Sequence, residues 1–215
     1  MVRLVIFDLD GVIVDSEVKN KERLYSFLVQ HKPDITFADV CRTAGFGNRE
    51  TRVFVGQILG MDADEAYGMY TQYKKTYTGI SSYGDIVNRD AVELLKWLKE
   101  NEYLIAVASQ SSKYKLKQKL TESGTYEYFD HTVSVEEVSR GKPDPESFLK
   151  AAEHFGLKSD ECIVIEDSPV GIEAGKRAGM KVIARDNRIL PVDTSKADLR
   201  VYDLTEAIEF IKELS

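Results

Sequence analysis

Six short apolar runs, at 4–7, 104–108, 132–135, 162–165, 181–184 and 199–202, are rich in β-branched residues and bounded by polar or turn residues, the pattern of strands. Helical patterns at 91–100, 114–122, 146–155, 171–178 and 204–214 alternate with them. A chain that alternates in this way has few folds open to it: the strands lie parallel, joined by helical crossovers, in one α/β sheet. The runs are apolar nearly throughout rather than at every second position, as a sheet covered on both faces requires. From about 17 to 80 the alternation stops. Helical patterns at 21–29 and 50–59 follow one another there with no strand between them, and this stretch reads as an inserted helical subdomain. Gly45 and Gly47 separate two of its helices, and the hinge back to the sheet is expected around 81–85.

A chain of 215 residues accommodates one core domain with a modest insertion and buries a substantial core. Its formal net charge of −7 argues against a broad grip on nucleic acid or an anionic membrane, so neither is expected as a partner. Any anionic substrate must be held locally. Lys113, Lys115, Lys117 and Lys119 form the densest basic stretch; alternating along a helix, they spread around it and read as a solvated helix surface. Cys41 and Cys162 lie far apart without metal-ligand spacing and are read as reduced. The apolar start is too short for a signal-peptide core and no apolar run approaches ~20 residues, so a cytoplasmic location is the expectation.

Chemistry gathers where the strands end. Phe7-Asp8-Leu9-Asp10-Gly11-Val12 sets two carboxylates just past the first strand, at the carboxyl edge where open α/β sheets bind ligands. An isolated Asp-x-Asp reads equally as two acids capping a turn. The second strand ends in Ala108-Ser109-Gln110-Ser111-Ser112, with hydroxyls and free N–H groups before a helix, an arrangement that favours a phosphate. Ser111 and Ser112 read first as helix caps, which leaves Ser109, at the strand end, as the ligand candidate. In Arg140-Gly141-Lys142-Pro143-Asp144-Pro145 two prolines stiffen a turn that presents Lys142, a fixed cation able to offset repulsion between a carboxylate nucleophile and a phosphate. Ile163-Val164-Ile165-Glu166-Asp167-Ser168 ends another strand in adjacent acids. Four carboxylates converging at one edge repel unless a divalent cation lies among them; Mg2+ suits hard oxygen donors, whereas the His and Cys ligands usual for zinc are absent.

These four segments, in this order, resemble the haloacid dehalogenase superfamily, in particular members with a small helical cap inserted after the first strand; the likeness covers nearly the whole chain. The resemblance implies a Rossmann-like parallel-sheet core, residues 1–16 and 82–215, and a helical-bundle cap, residues 17–81. It further implies Asp8 as nucleophile, Asp10 as acid/base, and Ser109 and Lys142 as phosphate and charge clamps. Mg2+ would be held by Asp8, Asp167, Glu166 and the main-chain carbonyl of Asp10. In the cap, Gly45-Phe46-Gly47-Asn48-Arg49 resembles the loop that faces the active site in such proteins. Gly45 and Arg49 therefore join Ser109, Gln110 and Lys142 as substrate-binding candidates, Arg49 reading equally as an exposed arginine at a helix start. Lys74 and Lys75 read as solvated, and Tyr67, Tyr70, Tyr73 and Tyr77, at helical spacing, as packing between cap helices.

The expected activity is a Mg2+-dependent phosphatase acting on a small phosphorylated metabolite such as a sugar phosphate, through an aspartyl phosphate. A mutase of the β-phosphoglucomutase type is the enzymatic alternative, but the histidine of that pattern is replaced here by Asn20, which cannot handle a proton in the same way. A receiver-like signalling module would also carry a phosphorylatable aspartate beside acids, a hydroxyl and a lysine. It explains neither the helical insertion nor Asp10.

Overall fold

A computed structural model of the chain describes residues 1–43, 46, 48–79, 82–190 and 192–215. In chain order its elements are β1 (Leu4–Phe7), α1 (Ser16–Leu28), α2 (Phe37–Cys41), α3 (Asn48–Leu59), α4 (Ala63–Thr76), α5 (Arg89–Glu100), β2 (Leu104–Ala108), α6 (Lys113–Glu122), β3 (His131–Val133), α7 (Glu146–His154), β4 (Cys162–Glu166), α8 (Pro169–Arg177), β5 (Lys181–Arg185), β6 (Leu199–Val201) and α9 (Ala207–Leu214). They fall into two compact units, one of 1–15, 82–188 and 192–215, the other of 16–81 and 189–191.

The first unit carries the parallel α/β sheet expected from the alternation, six strands in the order β3-β2-β1-β4-β5-β6. The strands are four-residue to five-residue apolar runs at the centre, and β1 is buried at every position. Successive side chains leave opposite faces. Val5, Phe7, Ile105, Val107, Ile163 and Ile165 join Leu94, Leu95, Leu116 and Ile211 from α5, α6 and α9 in one core. Leu4, Ile6, Ala106, Ala108 and Val164 join Phe148, Ala151 and Ile172 from α7 and α8 in the other. Gly175 allows α8 to approach the sheet: a Cβ there would stand 2.7 Å from Val182 Cγ2.

β3 is shorter than its apolar run. It ends at Val133 because the Ser134 N–H and hydroxyl both donate to Glu137, at 2.8 and 2.7 Å, and turn the chain into a 3-10 turn, Val135–Glu137. The helical pattern at 204–214 likewise opens with a 3-10 turn, Leu204–Glu206, capped by Asp203.

The second unit is helical. Leu24, Phe27 and Leu28 of α1, Val40 of α2, Val55 of α3 and Ala66 and Tyr70 of α4 form its core, with Tyr67 and Tyr73 packed against it. Tyr67, Tyr70 and Tyr73 thus lie between helices, as their spacing suggested. Lys74 is not simply solvated: its ammonium lies 5.0 and 4.9 Å from the ring centroids of Tyr67 and Tyr70. No helix among the described residues is long and apolar enough to cross a membrane.

Phe148 is the largest buried side chain contributed by α7 and is fully buried. Phe148→Ala is expected to lower unfolding free energy by about 3–5 kcal/mol, measured as a fall in the urea midpoint at unchanged slope; a change within 1 kcal/mol would contradict this packing.

Candidate active site

Strand order decides where the site lies. The chain runs from β1 to β2 and β3 on one side, then returns to β4 on the other, so β1 and β4 flank the point where the winding reverses. Phe7 is in register with Val107 and with Ile165, and residues 8, 108–109 and 166–167 therefore leave the sheet together at its carboxyl edge. The Asp8 N–H donates to Ile165 O at 2.8 Å and the Ser109 N–H to Val133 O at 3.0 Å, continuing the ladder to the candidate site residues.

Lys142 stands at the centre of this edge. Its side chain is only 4% exposed; the ammonium is ion-paired with Asp8, donates to Glu166 Oε1 at 2.7 Å and to Ala108 O at 3.2 Å, and lies 4.7 Å from the centroid of Phe148. Burial alone would lower the Lys142 pKa, but Asp8 and Glu166 outweigh it and raise the value, so the cation is fixed. Glu166 is fully committed: Oε2 accepts from Asp167 N–H, Ser168 N–H and the Ser168 hydroxyl, each at 2.9 Å, while Oε1 holds Lys142. Gly171 makes room for it, since a Cβ there would fall 1.7 Å from Glu166 Oε1. Across the edge, Gly11 adopts φ +89°, and a Cβ there would lie 1.8 Å from Asp167 Oδ2.

Asp8 and Asp167 are short of countercharge. Burial, then the charges of Glu166 and Asp10, raise the Asp8 pKa to about 7 against the pull of Lys142. Burial, then Glu166, Asp8 and Asp10, raise Asp167 well above its ordinary value, again opposed by Lys142. Among the described residues no group of three or more His, Cys, Asp or Glu side chains forms a ready-made metal cage. The donors that Asp8 and Asp167 offer are carboxylate oxygens, hard ligands of the kind Mg2+ takes together with water and substrate oxygens.

Ser109 is buried at the end of β2 and its Oγ accepts from Ser111 N–H at 3.0 Å, which leaves the hydroxyl proton to donate elsewhere. Gln110 is exposed and donates its amide to Lys142 O at 3.3 Å, bracing the lysine loop. Ser112 caps α6 through Lys115 N–H, as its position suggested. Arg49 lies exposed in the first turn of α3, in the helical unit, and Gly45 lies outside the described residues. Asn20, in α1, accepts from Arg23 Nη2 at 2.7 Å.

Three contacts were not anticipated. Lys119 is not part of a solvated helix surface: it is 8% exposed, and its ammonium holds both carboxylate oxygens of Asp10, at 2.5 and 2.7 Å. The signal was helical phase, because Lys119 follows Leu116 by three and precedes Leu120 by one, inside the buried stripe of α6. Asn88 Nδ2 donates to Val12 O at 2.8 Å, and Arg185, paired with Asp90, donates to Gly11 O at 3.2 Å. Together these two brace the loop after β1.

Gly171→Ala is expected to cost about 1–3 kcal/mol through the forced displacement of the Glu166 carboxylate. Thermal unfolding would show it as a lowered midpoint, and an unchanged midpoint would refute the close approach.

Comparison with known proteins agrees with this geometry. The model describing haloacid dehalogenase-like hydrolases matches residues 5–185. The bifunctional riboflavin kinase/FMN phosphatase of Arabidopsis thaliana is 43% identical over 183 residues, covering 84% of this chain and 47% of that protein, so the chain spans about half that relative's length. The validoxylamine A 7'-phosphate phosphatase of Streptomyces hygroscopicus subsp. limoneus is 28% identical over 208 residues, 96% of each chain. A HAD family hydrolase from Deinococcus radiodurans R1, of known structure, shares the fold with a TM-score of 0.83 at 24% identity, over 99% of this chain and 96% of that one.

Proposed function

The chain belongs to the haloacid dehalogenase-like hydrolase family, and from that premise we propose that it is a Mg2+-dependent phosphatase that hydrolyses a small phosphorylated metabolite, in the first place a sugar phosphate, through a phosphorylated Asp8. The observation that carries this reading is the buried Asp8–Lys142–Glu166 constellation at the reversal between β1 and β4, with Asp10 two residues beyond the nucleophile. Relatives bearing phosphatase names, one for FMN and one for validoxylamine A 7'-phosphate, support the reaction class. The chemistry is assigned to residues 1–16 and 82–215 as a core domain, with 17–81 as a separate cap domain.

Lys142 neutralises one oxygen of Asp8 and the other attacks phosphorus, forming the Asp8 oxygen–phosphorus bond as the bond to the leaving oxygen breaks. Asp10, a carboxylate paired with Lys119 and still open to solvent, takes up a proton from water as substrate binds and passes it to that oxygen. It then takes a proton from the water that attacks phosphorus in the second half, releasing phosphate and restoring the Asp8 carboxylate. The Ser109 hydroxyl holds a phosphoryl oxygen, while the Lys142 ammonium, its three N–H groups engaged by Asp8, Glu166 and Ala108 O, offsets the phosphoryl charge from beside Asp8. Mg2+ held by Asp8, Asp167 and the Asp10 main-chain carbonyl would supply charge neutralisation at the phosphate. Glu166, whose two oxygens are already bonded within the protein, contributes by fixing Lys142 and the start of α8. A mutase would need a proton-handling group where Asn20 stands, its oxygen held by Arg23.

Phosphate release from a panel of phosphorylated metabolites, with Mg2+ present or chelated, tests the reading; the same reactions are examined for isomerised sugar phosphates. Release only with Mg2+ is expected. Asp8→Asn should lower it by at least about 10³-fold with the fold intact, and Asp10→Asn by about 10²–10⁴-fold; full activity in Asp8→Asn would eliminate the mechanism. Because burial and neighbouring carboxylates raise Asp8 to about 7 and Asp167 well above its ordinary value, a cation bound to them competes with protons. Mg2+ affinity by titration calorimetry should therefore rise several-fold from pH 6 to pH 8, with proton release; pH-independent affinity would speak against these two ligands.

A further inference from the structure

Each aspartate after β1 has its own buried lysine, and only one of the two lysines comes from the motif segments. Lys142 serves Asp8. Lys119, on the buried face of α6, serves Asp10 with a two-point grip, 2.5 Å to Oδ1 and 2.7 Å to Oδ2. Ser111 closes the group: its hydroxyl donates to Asp10 Oδ2 at 3.3 Å and accepts from Lys119 Nζ at 3.2 Å. The helix makes this reach natural. Side chains on a helix tilt towards its N-terminus, so a lysine nearly two turns into α6 extends back along the axis to the helix start, beside Ser111 and the carboxyl edge of β1. The Lys119 ammonium also lies 5.7 Å from the Tyr83 ring centroid.

An exposed lysine paired with an exposed aspartate would contribute little. This one differs in burial and in what it restrains. The Lys119 side chain is 10% exposed, so its charge has lost most of its water and depends on Asp10 for compensation. Asp10, 35% exposed at the side chain, sits where the charges of Asp8 and Asp167 repel it. The two-point grip of Lys119 holds both of its oxygens against that repulsion.

We propose that Lys119 is a positioning residue for the acid/base carboxylate of Asp10, acting with Ser111 to hold it in one orientation at the leaving-group side of Asp8. This rests on the phosphatase reading above. Lys119 touches no reacting atom in this scheme, and its whole effect on turnover passes through Asp10.

The test is a double-mutant cycle with p-nitrophenyl phosphate and Mg2+, residual rates being read at high enzyme concentration. Lys119→Met, which keeps the stem, is expected to lower kcat by about 10²-fold with KM within twofold of wild type. Lys119→Arg should recover at least tenfold of that loss. In the Asp10→Asn background, adding Lys119→Met should change the rate by less than twofold, because residues acting as one unit are not additive. A merely structural role predicts the same loss in both backgrounds, and that result would overturn the proposal. So would a Lys119→Met enzyme with wild-type kcat, or one whose loss lies in KM alone. Asp8-dependent release in wild type, abolished by Asp8→Asn, establishes the underlying phosphatase separately; its absence would overturn both readings together, whereas its presence with an additive cycle overturns only the role of Lys119.

Discussion

The ion pairs from Lys142 and Lys119 to Asp8 and Asp10 set the terms for everything around them, because the sheet delivers four carboxylates to one edge and burial withholds the water that would keep them apart. Without fixed cations, β1 could not end in Asp-Leu-Asp beside a β4 that ends in Glu-Asp. The two lysines arrive from different directions, one from the loop before α7 and the other from within α6, so the acidic edge ties together segments far apart in the chain. Breaking either pair leaves a buried charge uncompensated, the expensive outcome for such groups.

Backbone geometry accommodates this concentration of charge at two glycines in particular. Gly11 turns the chain directly after Asp10 with a positive φ and leaves the space that the Asp167 carboxylate fills; Gly171, in the first turn of α8, does the same for Glu166. Any side chain at either position would occupy the volume of a site carboxylate. Glu166 in turn accepts three donors at the start of α8, so one residue both seals a helix end and aims the Lys142 ammonium. Second partners of this sort explain how a charged group stays fixed without rigid neighbours on every side.

How much of this was legible in the sequence depended on the distance along the chain between interacting groups. The strands and most helices follow from local patterning, and the strand-end positions of Asp8, Ser109, Glu166 and Asp167 follow from the strands. β3 came out short because the Ser134–Glu137 bonds, local but polar, outcompete a run that looks apolar enough to continue. The role of Lys119 is hard to read locally because its partner is 109 positions away and its neighbours Lys113, Lys115 and Lys117 mark the helix as solvent-facing; its phase with Leu116 and Leu120 is the opposing signal. Asn88 and Arg185 carried no signal at all. Each is an ordinary polar residue until the fold sets it against the carbonyls of Val12 and Gly11.

The charges at this edge do not balance within the chain. Two lysines face four carboxylates, and the surplus is registered by Asp8, raised to about 7, and Asp167, raised well above its ordinary range. A site shaped for stability alone would have paired or replaced these acids, since apolar side chains of similar volume cost less to bury. Under the proposed function that surplus is what a bound cation beside Asp167 would offset. Burial then acts in two ways on Asp8. It strips water from the carboxylate, and it makes that carboxylate reluctant to ionise, so that its full charge depends on countercharge close by.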